Sequence, residues 1–440
     1  MITNPVLGLI SLGVAVIGVL SGYPMAFVFI FVALVFGLIG VGHQVFYLLT
    51  YQFFSLMTSV ELAAIPLFLF MGYLLEQSGL MDRMFIALRL MLGGMKGSLF
   101  LIVLLVATVF AAATGIVGAS VTVLGVMAAP MMIRSGYNTR LSAGAIAAGG
   151  TLGILIPPSI MLIVMGPVVG VPVSDLFAGA VIPGLILAVV YIAYTLIRCH
   201  LSPALGPPLG HDERATSVTE KLRELALGVI PIAVVIATTL GLIIAGITTP
   251  TDAAATGACA SLVLTLLYGR LGWKRLKNAV FKTMETTAFI MFLIGAANFF
   301  GAVFARLGSG TLLTDQLTAL PAGPTTMLVL ILLLIFALGG PLEWIPIVLV
   351  IVPIVMPVVK HLGFDPLWFS ILVAVTLQTS WLTPPMALSS YFLKGVVPQW
   401  SMRDIYIGMV QFVVLQLLVV ILLIRFPDLV TWLPRATGLE

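Results

Sequence analysis

The chain has 440 residues, of which 61% are hydrophobic and only 8% are charged, and its formal net charge is +4. This composition excludes an ordinary soluble domain, in which about 25% of residues are charged. Apolar stretches recur along the whole sequence, and each can cross a hydrocarbon core of about 30 Å as a helix of roughly 20 residues. The composition therefore predicts an all-α polytopic membrane protein.

Ten apolar segments have the length expected of full crossings. They fall at about 5–20, 24–42, 53–78, 143–168, 179–197, 226–247, 252–269, 285–304, 367–393 and 405–424. Two further segments, at about 98–133 and 325–358, contain glycine-rich breaks, and we expect them to enter the membrane and return as re-entrant hairpins. Residues 201–225 are rich in proline, glycine and charge, which predicts a cytoplasmic linker.

Lysine and arginine set the expected orientation, because they concentrate in the cytoplasmic loops of membrane proteins. With the N-terminus outside, the inner loops hold all of the 20 basic residues except Arg306, Lys360, Arg425 and Arg435. The basic cluster "GRLGWKRLKNAVFK" at 269–282 then lies in an inner loop, where it meets anionic membrane lipid headgroups. This interpretation is preferred to a nucleic-acid site, and the N-terminus is predicted to be periplasmic.

The linker divides the chain into two halves, 1–200 and 226–440. Each half contains three crossings, a hairpin and two more crossings, one of them broken. Because five crossings reverse the starting side, the second half would run opposite to the first, as in an inverted repeat. The proline pair of "GILIPPSIM" at 153–161 returns 227 residues later in "SWLTPPMAL" at 380–388. This paired spacing favours a repeat over unrelated helix kinks.

Glycine-rich breaks precede both proline pairs. "ATGIVGAS" at 113–120 lies in the first hairpin and "ALGGPLEW" at 337–344 in the second. A broken membrane helix frees backbone carbonyls on one side and leaves a helix N-terminus on the other. Carbonyl oxygens suit a small cation, whereas free N–H groups and the positive end of the helix dipole suit an anion. The breaks therefore predict two cation sites with an anion site between them.

Other chemistry is poorly represented. The sequence has no G-x-x-x-x-G-K-[ST] phosphate loop for ATP hydrolysis and no H-E-x-x-H metalloprotease motif. Carboxylates inside membrane segments are costly and often functional, and Glu61, Glu285 and Glu343 are the clearest examples. Glu61 and Glu285 lie 224 residues apart at related places in the two halves. For both residues, a functional role in ion coupling, gating or partner contact and a structural role as a clasp remain open alternatives. Glu343 lies in the second glycine-rich break.

Six short motifs occur together in this chain: "GILIPPS", "LTPPMALSSYF", "AIPLFLFMG", "SGLMDRM", "PTDAAATGA" and "GGPLEWIPIVLVIVPI". In combination they resemble the large membrane subunit of the tripartite ATP-independent periplasmic (TRAP) transporters, over essentially the whole chain. The resemblance implies an elevator-type fold of the ion-transporter superfamily. It also implies sodium-coupled uptake of a small organic anion, a carboxylate or sulfonate, across the bacterial inner membrane. Two partners are implied as well, a small membrane subunit of about four spans and a periplasmic substrate-binding protein.

The resemblance assigns residues to two sodium sites by their place in these motifs. The first site would use Thr114, Gly153, Ile156 and Pro158. The second site would use Gly339, Ser380, Thr383 and Met386. Many family members have a Ser-Gly-Ser-Ser run where this chain has "ATGIVGAS", so which hydroxyl binds sodium in the first site is open. The sodium ions would be co-transported with the anion.

Polar side chains near the breaks are candidates for substrate contact: Ser120, Ser159, Thr379 and Ser389. The leading hypothesis is a sodium-coupled transporter rather than an enzyme, and the sequence does not name its anion. One alternative is a stand-alone sodium/anion symporter without a binding protein. Another is an intramembrane enzyme that uses Glu61 and Glu285 as acid and base.

Overall fold

The fold of the described residues is entirely helical. The computed structural model describes residues 4–438 except 116, 211–217, 320 and 322, and within this part of the chain no strand is present. Among the described helices, seven are long and apolar enough to cross a membrane, and a bent pair would make an eighth. The predicted class, an all-α polytopic membrane protein, is confirmed.

The helices before the linker are α1 (Pro5–Leu20), α2 (Met25–Val41), α3 (Gln44–Met57), α4 (Ala64–Ser78), α5 (Leu80–Leu92), α6 (Ser98–Thr114), α7 (Val117–Arg134), α8 (Thr139–Thr151), α9 (Ile160–Val169) and α10 (Val173–Leu201). Those after it are α11 (Val218–Ile236), α12 (Pro250–Leu267), α13 (Trp273–Arg306), α14 (Ser309–Thr318), α15 (Pro324–Gly339), α16 (Trp344–His361), α17 (Pro366–Gln378), α18 (Leu388–Val396), α19 (Met402–Arg425) and α20 (Asp428–Thr437). α11 continues through a π-helical turn at Ala237–Gly241, and α16 contains such a turn at Ile347–Ile351.

The segment expected to cross at 53–78 is a bent pair of helices. α3 ends at Met57, and the next helical segment runs at 60° to it. Glu61 opens the short 3₁₀ turn that leads into α4, and its side chain is exposed. Glu61 therefore lies at the bend between the two helices, and its position inside a single crossing stays a prediction.

Two other segments differ from the sequence-based bounds. The linker expected at 201–225 is partly helical, because α11 already begins at Val218, while residues 211–217 lie outside the described residues. The crossing expected at 285–304 is the second part of α13, a continuous helix of 34 residues. Such a helix rises about 51 Å, more than a bilayer core requires. The first turns of α13 carry most of the basic cluster at 269–282, which the sequence pattern predicted to be a loop.

The segments that carry the proline pairs are discontinuous helices. Asn138 caps α8 and Asp365 caps α17, and each side chain accepts a hydrogen bond from a first-turn N–H, at 3.0 and 2.7 Å. These two caps are 227 residues apart, like the proline pairs. Each helix then ends in a 3₁₀ turn, Leu152–Ile154 or Thr379–Trp381. Proline has no N–H and disfavours helical geometry in the residue before it, so the helix stops there.

Elements from before and after the linker pack on one another around the breaks. α8 crosses α19 at Gly144 and Gly408, so closely that a Cβ on Gly408 would overlap the Arg140 carbonyl. Small residues permit such close helix approach in membranes. Arg140 and Asp404 form an ion pair of 2.8 Å between the same helices. In addition, α7 packs on α18 and α16 packs on α9. The division into two inverted halves stays a prediction.

Candidate functional site: two broken helices beside two hairpin tips

The first break lies against the tip of the first hairpin. α6 ends at Thr114, whose buried hydroxyl donates to the Phe110 carbonyl at 3.0 Å. Gly115 follows with a φ of +63°, and a Cβ on it would lie 2.5 Å from the Pro158 carbonyl oxygen. Glycine permits both this backbone conformation and this close approach. The tip therefore brings Thr114 next to the break.

Three carbonyl oxygens of the first break accept no hydrogen bond from the described residues: those of Gly153, Ile156 and Pro158. The Ile156 N–H donates to the Leu152 carbonyl at 2.8 Å, and the Ser159 hydroxyl donates to a carbonyl within the same turn. All of these residues are buried. Buried carbonyls without a donor are uncommon, and unwound carbonyls of this kind coordinate sodium in other transporters. The structure thus places Thr114 beside the break that carries Gly153, Ile156 and Pro158.

The second break meets the second hairpin in a similar way. Gly339 ends α15, and a Cβ on it would lie 3.3 Å from the Ser380 Cβ. The Met386 N–H donates to the Gly340 carbonyl at 3.3 Å. The carbonyl oxygens of Gly339, Ser380 and Met386 accept no hydrogen bond from the described part of the chain. These residues therefore present a second set of free carbonyls.

Thr383 differs from the other residues predicted for the second site. Its carbonyl accepts a hydrogen bond from the Ala387 N–H at 3.1 Å. Its hydroxyl donates to the Thr379 carbonyl at 2.9 Å, which leaves lone pairs on the hydroxyl oxygen. The hydroxyl oxygen is therefore the atom of Thr383 best placed to bind a cation.

The two hairpin tips differ in length and charge. Two positions separate the last residue of α6 from the first residue of α7, whereas four positions, 340–343, separate α15 from α16. The longer tip contains Glu343, which precedes α16, is half-buried and makes no capping hydrogen bond with its side chain. A carboxyl group is thus present at the second tip, and the first tip has none.

The four candidate substrate residues are all buried, but their hydroxyls differ. Those of Ser159 and Thr379 donate to nearby backbone carbonyls. Ser120 lies in the first turn of α7. Ser389 lies in the first turn of α18, and its hydroxyl has no partner among the described residues. The Ser389 hydroxyl can therefore donate a hydrogen bond to a bound substrate.

The start of α18 and the 3₁₀ turn before the second break offer further donors that the sequence analysis missed. The Ser390 hydroxyl and the Trp381 indole N–H are buried and have no partner in the described residues. The Trp381 ring stacks on Phe392, with ring centroids 6.3 Å apart, and Phe392 packs against Gly118 of α7. Donors at a helix N-terminus favour an anion. The serine pair directly after the proline break was the available sequence signal.

Comparison with known proteins identifies the family. Residues 12–429 match the family described as tripartite ATP-independent periplasmic transporter, DctM component. The chain belongs to the DctM family. The family predicted from the motifs is thereby confirmed, and the chain is a multi-pass membrane protein of that family.

Related DctM-family proteins match most of this chain. The sialic acid TRAP transporter large permease protein SiaM of Vibrio cholerae is 28% identical over 419 residues, or 94% of this chain and 95% of SiaM. The C4-dicarboxylate TRAP transporter large permease protein DctM of Pseudomonas aeruginosa is 30% identical over 351 residues, or 79% of this chain and 80% of DctM. The YdaH transporter of Alcanivorax borkumensis matches in structure with a TM-score of 0.63 at 18% identity, over 88% of this chain and 89% of YdaH. The chain therefore shares the YdaH fold.

Glu61 and Glu285 do not form a pair in this DctM-family chain. Glu285 is exposed on α13, and the adjacent Thr286 shares a hydrogen bond of 2.7 Å with the Tyr73 hydroxyl of α4. Tyr73 follows Glu61 by twelve residues, which correspond to about 18 Å of helix rise. That separation is too large for a shared acid and base. The intramembrane-enzyme alternative required Glu61 and Glu285 to act together, and their positions do not support it.

An open cavity of about 470 Å³ lies away from the breaks, between α13, α14 and α16. Its lining is mostly apolar, with polar groups from Gln52, Asn298 and Thr314. None of the residues predicted for sodium or substrate lines it. The breaks and hairpin tips, rather than this cavity, therefore form the candidate functional site.

Proposed function

We propose that this DctM-family chain carries out sodium-coupled secondary active uptake of a small organic anion across the bacterial inner membrane. The observation that carries the proposal is the pair of breaks, each with backbone carbonyls that accept no hydrogen bond from the described residues, beside a hairpin tip. Carbonyls at the C-terminal ends of α8 and α17 would bind sodium, and the start of α18 would bind the anion. Both placements agree with the direction of the helix dipoles.

The proposed ligands follow from this geometry. The first sodium would be bound by Thr114, Gly153, Ile156 and Pro158, and the second by Gly339, Ser380, Thr383 and Met386. Ser389 would donate to the anion, and Ser120, Ser159 and Thr379 would line the same space. Two cations near the anion would offset its charge in a low-dielectric interior. Anion binding would therefore depend on sodium, which links the two fluxes.

The substrate class and the partners rest on the family. Sialic acid and C4-dicarboxylates, named for two relatives, are both carboxylates, which supports a carboxylate here, with a sulfonate as the closest chemical equivalent. The family description as tripartite supports a small membrane subunit and a periplasmic substrate-binding protein as partners. The hairpins and broken helices would move together against the other helices, as in an elevator mechanism. The N-terminus would be periplasmic.

Uptake by reconstituted protein tests the proposal. The chain and its small membrane subunit would be placed in liposomes, with the binding protein outside and a panel of labelled carboxylates and sulfonates. We expect uptake with an inward sodium gradient and none with an equal potassium gradient. Uptake that does not depend on the sodium gradient would refute the proposal. Equal uptake without the binding protein would instead favour the stand-alone symporter.

A further inference from the structure

A side-chain hydrogen bond joins the two broken helices. Gln378 Nε2 donates to Thr151 Oγ1 at 3.1 Å, and the Thr151 hydroxyl donates in turn to the Ala148 carbonyl at 2.8 Å. Both side chains are fully buried. Thr151 and Gln378 are 227 residues apart, as are the first residues of the two proline pairs. The bond thus links corresponding points of the two breaks.

Each partner of this bond lies directly before its break. Thr151 precedes Gly153 by two residues, and Gln378 precedes Ser380 by two residues. The 3₁₀ turns that carry these two proposed sodium ligands begin at the very next residue, Leu152 or Thr379. A shift of either turn would therefore displace one partner of the hydrogen bond.

The surroundings of this bond are polar, and Gln378 itself is only partly paired. Its Oε1 is buried without a partner among the described residues. The Tyr191 hydroxyl lies beside Thr151 and Gln416. Buried polar groups left unpaired destabilise a fold. A polar cluster at this place therefore contributes less to stability than an apolar one would, which favours a functional role.

We propose that Thr151 and Gln378 are positioning residues that couple the two sodium sites. Sodium in one site orders its 3₁₀ turn, and the hydrogen bond passes this order to the other turn. The second ion then binds to a site that is already partly ordered, so binding is cooperative. The inference rests on the proposed sodium sites. Loss of one net hydrogen bond corresponds to roughly a two- to tenfold change in affinity.

The substitutions Gln378→Leu and Thr151→Val each remove the bond with little change in side-chain volume, and the double variant completes a mutant cycle. In the liposome assay, we expect the Hill coefficient for sodium to fall from about two toward one. The half-saturating sodium concentration should rise roughly two- to tenfold in each single variant, without a further rise in the double variant. Thr265→Val is the control, because Thr265 is similarly buried and its hydroxyl donates within α12, to the Ser261 carbonyl at 2.7 Å.

Sodium-induced thermal stabilisation of the purified full chain gives a second readout that does not require uptake. If one variant fails to insert, the other removes the same bond from the opposite side. Sodium-dependent wild-type uptake with an unchanged Hill coefficient in the variants would overturn the coupling and leave the proposed function standing. Wild-type uptake without sodium would overturn both.

Discussion

Gly115 and Pro158 are in backbone contact, and a Cβ on Gly115 would lie 2.5 Å from the Pro158 carbonyl oxygen. Through this contact the tip of the first hairpin touches a proposed sodium ligand of the broken helix. A side chain at Gly115 would have to push the tip away, because the obstacle is backbone rather than the end of a flexible side chain.

Gly115→Ala should therefore weaken sodium binding at the first site. The left-handed conformation costs alanine about 1–2 kcal/mol, and the overlap with Pro158 adds displacement of the tip. We expect the half-saturating sodium concentration for uptake to rise roughly tenfold or more. Gly136→Ala is the control, because Gly136 has a similar φ of +69° and nothing within 4 Å. An equal effect of both substitutions would assign the loss to backbone strain alone.

Ser389→Ala should weaken binding of the anion. A hydrogen bond to a charged group contributes about 1.5–3 kcal/mol, so the KM for the anion should rise roughly ten- to hundredfold. The sodium dependence at saturating anion should stay the same. Ser370→Ala is the matched control, because Ser370 is equally buried but its hydroxyl donates to the Pro366 carbonyl at 2.7 Å. A KM equal to that of the unmodified protein would exclude Ser389 from the anion site.

Glu343→Gln should weaken sodium binding at the second site. Glu343 is half-buried in the longer hairpin tip, and an anionic group near a bound cation stabilises it by about 1–2 kcal/mol at an effective dielectric constant near 20. We expect the half-saturating sodium concentration to rise roughly fivefold to thirtyfold. Glu285→Gln, at an exposed position on α13, should leave it unchanged. If Glu343→Gln and Glu285→Gln have the same half-saturating sodium concentration, Glu343 has no part in sodium binding.

Gly408→Ala should destabilise the protein by separating α8 from α19. The new Cβ would overlap the Arg140 carbonyl, and overpacking of this kind typically costs about 1–3 kcal/mol. Thermal unfolding of the purified protein should show a lower Tm and a loss of uptake. Gly13→Ala should not lower the Tm, because Gly13 lies on α1 with nothing within 4 Å and alanine favours a helix. An unchanged Tm for Gly408→Ala would contradict the close crossing.

The breaks were predictable because prolines act through local chemistry. A proline interrupts a helix whatever its tertiary surroundings, so Pro157 and Pro384 each predict a break. The spacing of each proline from its helix cap, Asn138 or Asp365, is the same and can be counted in the sequence. The bend before Glu61 had no such signal, since "TSV" at 58–60 contains neither glycine nor proline. There the Thr251 hydroxyl donates to the Val60 carbonyl at 3.4 Å, a contact between distant parts of the chain.

The candidate site was predictable only in part, for the same reason. The motifs identified residues such as Pro158 and Ser380, and the structure places each of them beside a glycine of a hairpin tip, Gly115 or Gly339. The roles of these residues as sodium ligands stay predictions. The bond between Thr151 and Gln378 could not be derived from spacing alone, because it depends on how two distant helices pack. Trp381 was missed because an aromatic residue in an apolar segment carries no polar signal.

The crossing of α8 and α19 also sets the time at which the protein can finish folding. Arg140 and Asp404, which mark the start of each helix, are 264 residues apart in the chain. A ribosome that adds about 5–20 residues per second needs roughly 15–50 s to make the intervening segment. During that time the side of α8 that carries Gly144 has no α19 to pack against. A chain interrupted before α19 would therefore be left with an unpaired helix and exposed to membrane proteases.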